Sequence, residues 1–203
     1  MARHRRRSPP VEMTVTIESL TNDGRGVAHQ EGKAVFVEYG LTGEVVRCQT
    51  TKRTSKYDMA KVLEVLEASN DRVQPRCSVA GICGGCSLQH MSDSSQIHAK
   101  QQVLLDNLQQ IGKVQPESVL PPLQGPHWNY RRKARLGVKL VPKKGGVLVG
   151  FREKQSGYLA VMDSCEVLDE RFSNLILPLR ELISAISIAK RIPQIEVAAG
   201  DDA

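Results

Sequence analysis

Three of the chain's five cysteines fall in the stretch CSVAGICGGCSLQH, at Cys77, Cys83 and Cys86, a C-x5-C-x2-C spacing. Thiols set this close to one another suit metal ligation. Gly81, Gly84 and Gly85 let the backbone fold tightly and turn amides toward the sulfurs, as iron–sulfur sites use to tune their potential. Three clustered cysteines leave one ligand to come from afar, either Cys48 or Cys165. Cys165 stands in a short segment between an expected strand and an expected helix, where a loop can return it. Cys48 stands in an alternating strand and reads as a packed thiol. Zinc is the competing occupant, but its four-cysteine sites usually come as two C-x2–4-C pairs. The three-plus-one layout fits a cubane with one remote corner ligand better. His90 reads as a structural hydrogen-bonder, as do His29, His98 and His127.

The elements that must position these residues begin at Val11. Val11, Met13, Val15 and Ile17 alternate with Glu12, Thr14, Thr16 and Glu18, the pattern of a half-buried strand. Turn signals at Asn22-Asp23-Gly24 and around Gly32 separate it from further strands, one beginning at Gly26-Val27 and others at 34–39, 44–50 and 58–66. Five short strands in under sixty residues predict a small closed or nearly closed β-barrel of the oligonucleotide-binding type over 11–70. Residues 1–10, basic and ending in Pro9-Pro10, are expected to be disordered.

The cysteine loop occupies 75–92. Beyond it, Asp93-x-x-Gln96 resembles a capping box, and Ile97, Leu104, Leu108 and Ile111 mark one side of a helix that Gly112 can end. After a Pro-rich loop, Ala134, Leu136, Val138 and Leu140 alternate with Lys133, Arg135, Gly137 and Lys139. Val147, Val149 and Phe151 continue in the next strand. A helix with Pro178 as a kink or restart follows, then a strand from Ile195. The turn residues Gly200-Asp201-Asp202 should lead to a hairpin partner that the sequence does not contain, which gives the appearance of a fragment. The fold class is α+β: a barrel, a cysteine loop, and an incomplete α/β central domain over 93–203.

The 203 residues are 40% hydrophobic, 25% charged and only 4% aromatic, so the core is aliphatic. No apolar run approaches the roughly 20 residues of a membrane span, and MARHRRRSPP lacks the apolar segment of a secretory signal. A cytoplasmic protein is expected, where clustered thiols stay reduced. The net charge of +6 is concentrated at two foci. Arg3, Arg5, Arg6 and Arg7 form one. Residues 127–154 form the other, with nine Lys or Arg against the single acid Glu153. Such density suits a polyanion, RNA above all. Arg131, Lys133, Arg135 and Lys139 are expected to share a strand face, with Arg132 and Arg152 nearby. Tyr130 can stack on unpaired bases, whereas Phe151 reads as core.

Taken together, Cys77-x5-Cys83-Gly84-Gly85-Cys86-x2-Gln89-His90, a barrel before it and WNYRRKARL at 128–136 after it resemble the RlmD (RumA) family of 23S rRNA uracil-C5 methyltransferases. The resemblance covers nearly the whole chain. It implies a TRAM barrel at 11–70, a [4Fe–4S] cluster on Cys77, Cys83, Cys86 and Cys165, 23S rRNA as partner, and a monomer without membrane association. It also implies S-adenosylmethionine and a methyl transfer in which a thiolate adds to C6 of uracil and a base later takes the C5 proton. The domain that carries this chemistry in the family has no counterpart among these residues, so no catalytic residue is assigned, and activity of this chain alone is not expected. The alternative is a stand-alone RNA-binding iron–sulfur or zinc protein without catalysis.

Overall fold

The computed structural model describes residues 9–201, so the Arg3 to Arg7 focus lies outside the described residues. The chain forms two compact units. Of the described residues, the first comprises 9–74 and 90–122, the second 75–89 and 123–201.

The first unit holds β1 (Glu12–Thr16), β2 (Ser19–Leu20), β3 (Gly26–Gln30), β4 (Lys33–Glu38), β5 (Val45–Arg53), β6 (Tyr57–Glu67) and α1 (Asp93–Gln110). Its strands make one six-stranded sheet in the order β1-β5-β6-β4-β3-β2. All neighbours are antiparallel except β4 and β6, which run parallel. Against the expected five strands of a closed or nearly closed barrel, six strands form, all in one sheet. The cause lies at residues 17 and 18. The amide of Ile17 donates to the carbonyl of Glu44 at 2.8 Å, and the next amide, Glu18, donates to Val27 at 2.8 Å. The chain thus changes partner from β5 to β3, and the single expected strand splits into β1 and β2.

Alternation supplies the interior of this sheet. Val15, Ile17, Ala28, Val35, Val37, Val46, Cys48 and Ala60 form one buried cluster. Ile17, 1% exposed, fits only because two glycines face it. A Cβ on Gly26 would meet Ile17 at 2.8 Å, and one on Gly40 would meet it at 3.1 Å. Burying such a side chain contributes about 1.5–3 kcal/mol.

A polar cluster fixes the exit from the sheet. Glu44, fully buried, accepts from Arg72 Nε at 2.5 Å and from a terminal guanidinium nitrogen of Arg72 at 2.8 Å. It also accepts from the amides of Leu41 at 2.9 Å and Ser69 at 3.3 Å. Arg72 donates in addition to the Tyr39 carbonyl at 2.7 Å, and the Tyr39 ring stacks on His90 at 4.0 Å. Burial alone would raise the Glu44 carboxyl, but Arg72 and the two amides outweigh it and hold it below its ordinary value. Val73 donates to the His90 carbonyl at 3.0 Å, so residues 73 and 90 are neighbours and the cysteine loop is closed at its base.

Helix α1 starts one residue earlier than the capping-box reading. Ser92 is the N-cap, accepting from the Ser95 amide, while Gln96 reaches back to the Met91 carbonyl at 2.9 Å. The side marked by Leu104 and Ile111 does not become core: no α1 residue is buried, and Ile111 is 79% exposed.

The second unit is built on β7 (Lys133–Val141), β8 (Gly146–Gly150) and β9 (Gln194–Ala198), an antiparallel sheet in the order β8-β7-β9. Helices α2 (Glu170–Ser173) and α3 (Ile176–Ala185) precede β9. Pro178 lies in the first turn of α3, so it restarts a helix rather than kinking one. Strand β9 pairs with β7 from Lys133↔Ala198 to Gly137↔Gln194. Leu136, Val138, Val147, Val149, Leu168 and Ile176 centre the core, with Phe151 packed against it.

Candidate metal centre and nucleic-acid interface

Two tight turns shape the cysteine loop. The Ala80 amide donates to the Cys77 carbonyl at 3.1 Å, and the Cys83 amide to Val79 at 2.9 Å. Residues 152–154 then hold the loop from outside: Gly84 donates to Arg152 at 2.8 Å, and Lys154 donates to Ile82 at 2.8 Å. A Cβ on Gly84 would sit 3.1 Å from the Arg152 carbonyl, so glycine is needed for that approach. At the far end, Gln89 accepts from the Cys77 amide at 3.3 Å.

Cys165 reaches the same place from the core side. Its amide donates to Ser173 Oγ at 2.9 Å, and its sulfur accepts from the amides of Val167 and Leu168. Cys77, Cys83, Cys86 and Cys165 together line one small cavity of about 20 Å³, shared with Gln89 and Phe151. Cys48, the other candidate, is in the core of the first unit, where burial pushes its thiol up to about 11.

The cavity is electrostatically unusual. Burial raises the Cys83 thiol, the Gly85 amide at 3.4 Å opposes this, and the neighbouring Cys86, Cys165 and Cys77 add to the rise. Burial likewise raises Cys165, against its two amide donors. Four thiolates would repel one another here unless a cation lay between them. The amides directed at sulfur and the enclosed setting fit a group that binds thiolates. Among the described residues, no three His, Cys, Asp or Glu side chains are arranged to hold a single metal ion.

Arginines flank this site. Arg131 lies outside β7, so it does not share the face of Lys133, Arg135 and Lys139. Its guanidinium donates to the Gly85 carbonyl at 3.3 Å and lies 5.6 Å from the Phe151 ring centre. Its backbone is bonded to Val167 at 2.8 Å and Asp169 at 3.0 Å, so it straps the loop to the Cys165 segment. Arg76 lies over Trp128 at 4.7 Å and pairs with Glu166 at 3.5 Å. Nothing in the composition distinguished Arg131 from its basic neighbours; only the tertiary bond does.

Lys133, Arg135 and Lys139 are exposed on one face of β7, opposite the buried Leu136 and Val138. Arg135 pairs with Glu196 at 3.0 Å, and Arg132 pairs with Asp201. Both pairs are exposed and of small energetic weight. Arg152 is exposed, and the Tyr130 ring is 49% exposed beside Arg131.

Comparison with known proteins adds three kinds of likeness. Residues 11–63 match the TRAM domain model. The chain is 52% identical over 189 residues to the 23S rRNA (uracil(1939)-C(5))-methyltransferase RlmD of Bordetella parapertussis, covering 93% of this chain and 41% of that protein. It is 53% identical to the RlmD of Nitrosospira multiformis over 93% of this chain and 43% of the relative. It is 50% identical to that of Alkalilimnicola ehrlichii over 100% of this chain and 45% of the relative. The crystal structure of Pyrococcus abyssi tRNA (uracil-54, C5)-methyltransferase in complex with S-adenosyl-L-homocysteine superposes with a TM-score of 0.58 at 24% identity. That match covers 84% of this chain and 36% of the other, and speaks to fold alone. Residues 11–63 thus resemble a TRAM domain, and nine-tenths or more of the chain is about half identical to RlmD proteins, of whose length it spans about two-fifths.

Proposed function

We propose that these residues form the RNA-capturing, [4Fe–4S]-bearing portion of a cytoplasmic 23S rRNA uracil-C5 methyltransferase that uses S-adenosylmethionine. The observation that carries the reading is the convergence of Cys77, Cys83, Cys86 and Cys165 on one enclosed cavity, in a chain about half identical to RlmD proteins. Those four residues would hold the cluster, which would supply a structural link between the loop and the Cys165 segment. Because thiolates are the ligating form, binding would be favoured by rising pH. Arg131 and Arg76 place positive charge beside a group that carries net negative charge once ligated by thiolates.

RNA capture falls to the exposed face of β7. Lys133, Arg135 and Lys139, two or four residues apart on a strand, give a row of cations spaced to follow a phosphate backbone. Arg132 and Arg152 extend the charge, and Tyr130 offers a ring to an unpaired base. Arg131 contributes by positioning, holding the loop that adjoins this face. The domain boundaries that go with the reading are the TRAM region at 11–70, the cluster loop at 75–92 and a partial central domain at 93–203.

Fluorescence anisotropy with a labelled 23S rRNA fragment and an unrelated tRNA hairpin as competitor tests the reading. Wild-type chain should prefer the rRNA fragment, and Lys133→Glu with Arg135→Glu should abolish binding while metal content stays unchanged. Equal binding of both RNAs would remove the rRNA assignment. Loss of metal together with RNA binding would show the β7 face acting through the cysteine site instead.

A further inference from the structure

The cavity lined by the four cysteines has a single side-chain amide in its wall, that of Gln89. Apart from the thiols, the rest of the lining is apolar side chain or backbone: Ala80, Gly85, Phe151, Met162 and Val167. Gln89 stands half-buried at the end of the cysteine loop, three residues after Cys86. Its place is held from both sides. The next residue, His90, is fully buried, and its carbonyl accepts from the Val73 amide at 3.0 Å. The side chain itself is held by the Cys77 amide, which donates to Gln89 Oε1 at 3.3 Å.

That bond fixes which way the side-chain amide faces. A backbone N–H can give only to its oxygen, so the NH2 is what Gln89 has left to offer. Among the described residues, no protein group accepts from this NH2. Ordering a glutamine side chain costs about as much as one long hydrogen bond returns, so a single bond to Cys77 is a poor reason for its place. The sulfurs show where a second bond is wanted. Gly85 donates to Cys83 at 3.4 Å, and Val167 and Leu168 donate to Cys165. Among the described residues, no N–H donates to the sulfur of Cys77 or Cys86.

We infer that Gln89 donates an N–H to a sulfur of the cluster held by Cys77, Cys83, Cys86 and Cys165, and that this bond raises the cluster's reduction potential. The inference rests on the [4Fe–4S] reading above and adds to it a residue outside the four ligands. The sign follows from charge. Reduction places one more negative charge on the sulfurs, and a donor binds the more negative form better. A hydrogen bond to a charged acceptor changes such an equilibrium by about tenfold.

The test uses the full chain, purified anaerobically, with resonance Raman spectra in H2O and D2O and voltammetry in which the electrode supplies the electron. In the wild type, exchange of N–H for N–D should shift the Fe–S stretching bands. Gln89→Met, similar in length but without an amide, should lose part of that shift. Its reduction equilibrium should fall about tenfold, or about 59 mV for one electron. Gln89→Glu keeps an oxygen for the Cys77 amide but has no N–H to give. It should lose the same part of the isotope shift, and its potential should fall further because a carboxylate opposes the added charge. If Gln89 serves only to hold the Cys77 amide, Gln89→Met sheds iron faster, yet both variants keep the wild-type isotope shift. That result overturns the inference and leaves the cluster in place. If Gln89→Met binds no iron, the isotope shift of Gln89→Glu decides. Wild-type chain without iron removes the cluster reading, and this inference with it.

Discussion

The cysteine cavity and the exposed face of β7 are opposite ways of making a site. The cavity is enclosed, about 20 Å³, and drawn from segments far apart in sequence, with Cys77 and Cys165 nearly ninety residues distant. The β7 face is open and made by one strand whose outward residues follow from the two-residue period. A site of the first kind stands or falls with the tertiary fold of its unit. One of the second kind can lose a side chain and leave its scaffold intact. The same contrast separates Lys133, placed by a local strand pattern, from Arg131, whose role is set by a bond to Gly85 forty-six residues away.

The sharpest way to break this contrast is Cys165→Ser. It should abolish metal binding and open residues 75–89 and 163–170 to proteolysis, while the first unit stays protected; limited proteolysis with mass spectrometry reads both. A variant that keeps its full metal content would mean that Cys165 is not a ligand.

Next in size is Arg72→Met, which leaves the Glu44 carboxylate buried without its cation. The expected cost to the first unit at neutral pH is about 3–5 kcal/mol. The pH dependence should also change sign. In the wild type, Glu44 lies below its ordinary value, so its contribution is present above the unfolded carboxylate value of about 4.3 and lost as pH falls through the folded value. In the variant, burial dominates and raises Glu44, so acidification should stabilise rather than destabilise relative to neutral pH. Urea unfolding at several pH values measures this, and parallel curves would contradict it.

Ile17→Ala should cost about 2–4 kcal/mol, since Gly26 and Gly40 cannot fill the space it leaves. A metal-dependent spectrum unaltered in this variant would confirm that the damage is confined to the first unit. The smallest effect is expected from Arg131→Gln. It should speed loss of metal to a chelator severalfold and leave the salt slope of RNA binding unchanged. A slope lowered by about 0.7 would instead make Arg131 a phosphate contact.

Much of this architecture can be read from the residues. The alternation from Val11 to Ile17, the turn at Asn22-Asp23-Gly24 and the run from Ala134 to Leu140 each encode their strands locally. The spacing of Cys77, Cys83 and Cys86 encodes a loop suited to one object. What cannot be read depends on contacts between distant residues. The partner change at Ile17 and Glu18 depends on where Glu44 and Val27 lie, which alternation does not specify. The Glu44–Arg72 pair joins two ordinary surface-type residues 28 positions apart, and only topology buries the carboxylate against its half-buried cation. The choice between Cys48 and Cys165 is legible in part, because Cys48 stands in an alternating strand, and it is buried in the core of the first unit. The Ser92 cap was missed for a local reason: three serines at 92, 94 and 95 offer competing starts, and Ser95 also bonds Asp71 at 2.7 Å.

The most direct test of the central claim is chemical analysis of the anaerobically purified chain: its absorption spectrum, with iron, acid-labile sulfide and zinc measured on the same sample. The account predicts a broad band near ~400 nm with about four iron and four sulfide per chain. A colourless protein holding one zinc and no iron would contradict it.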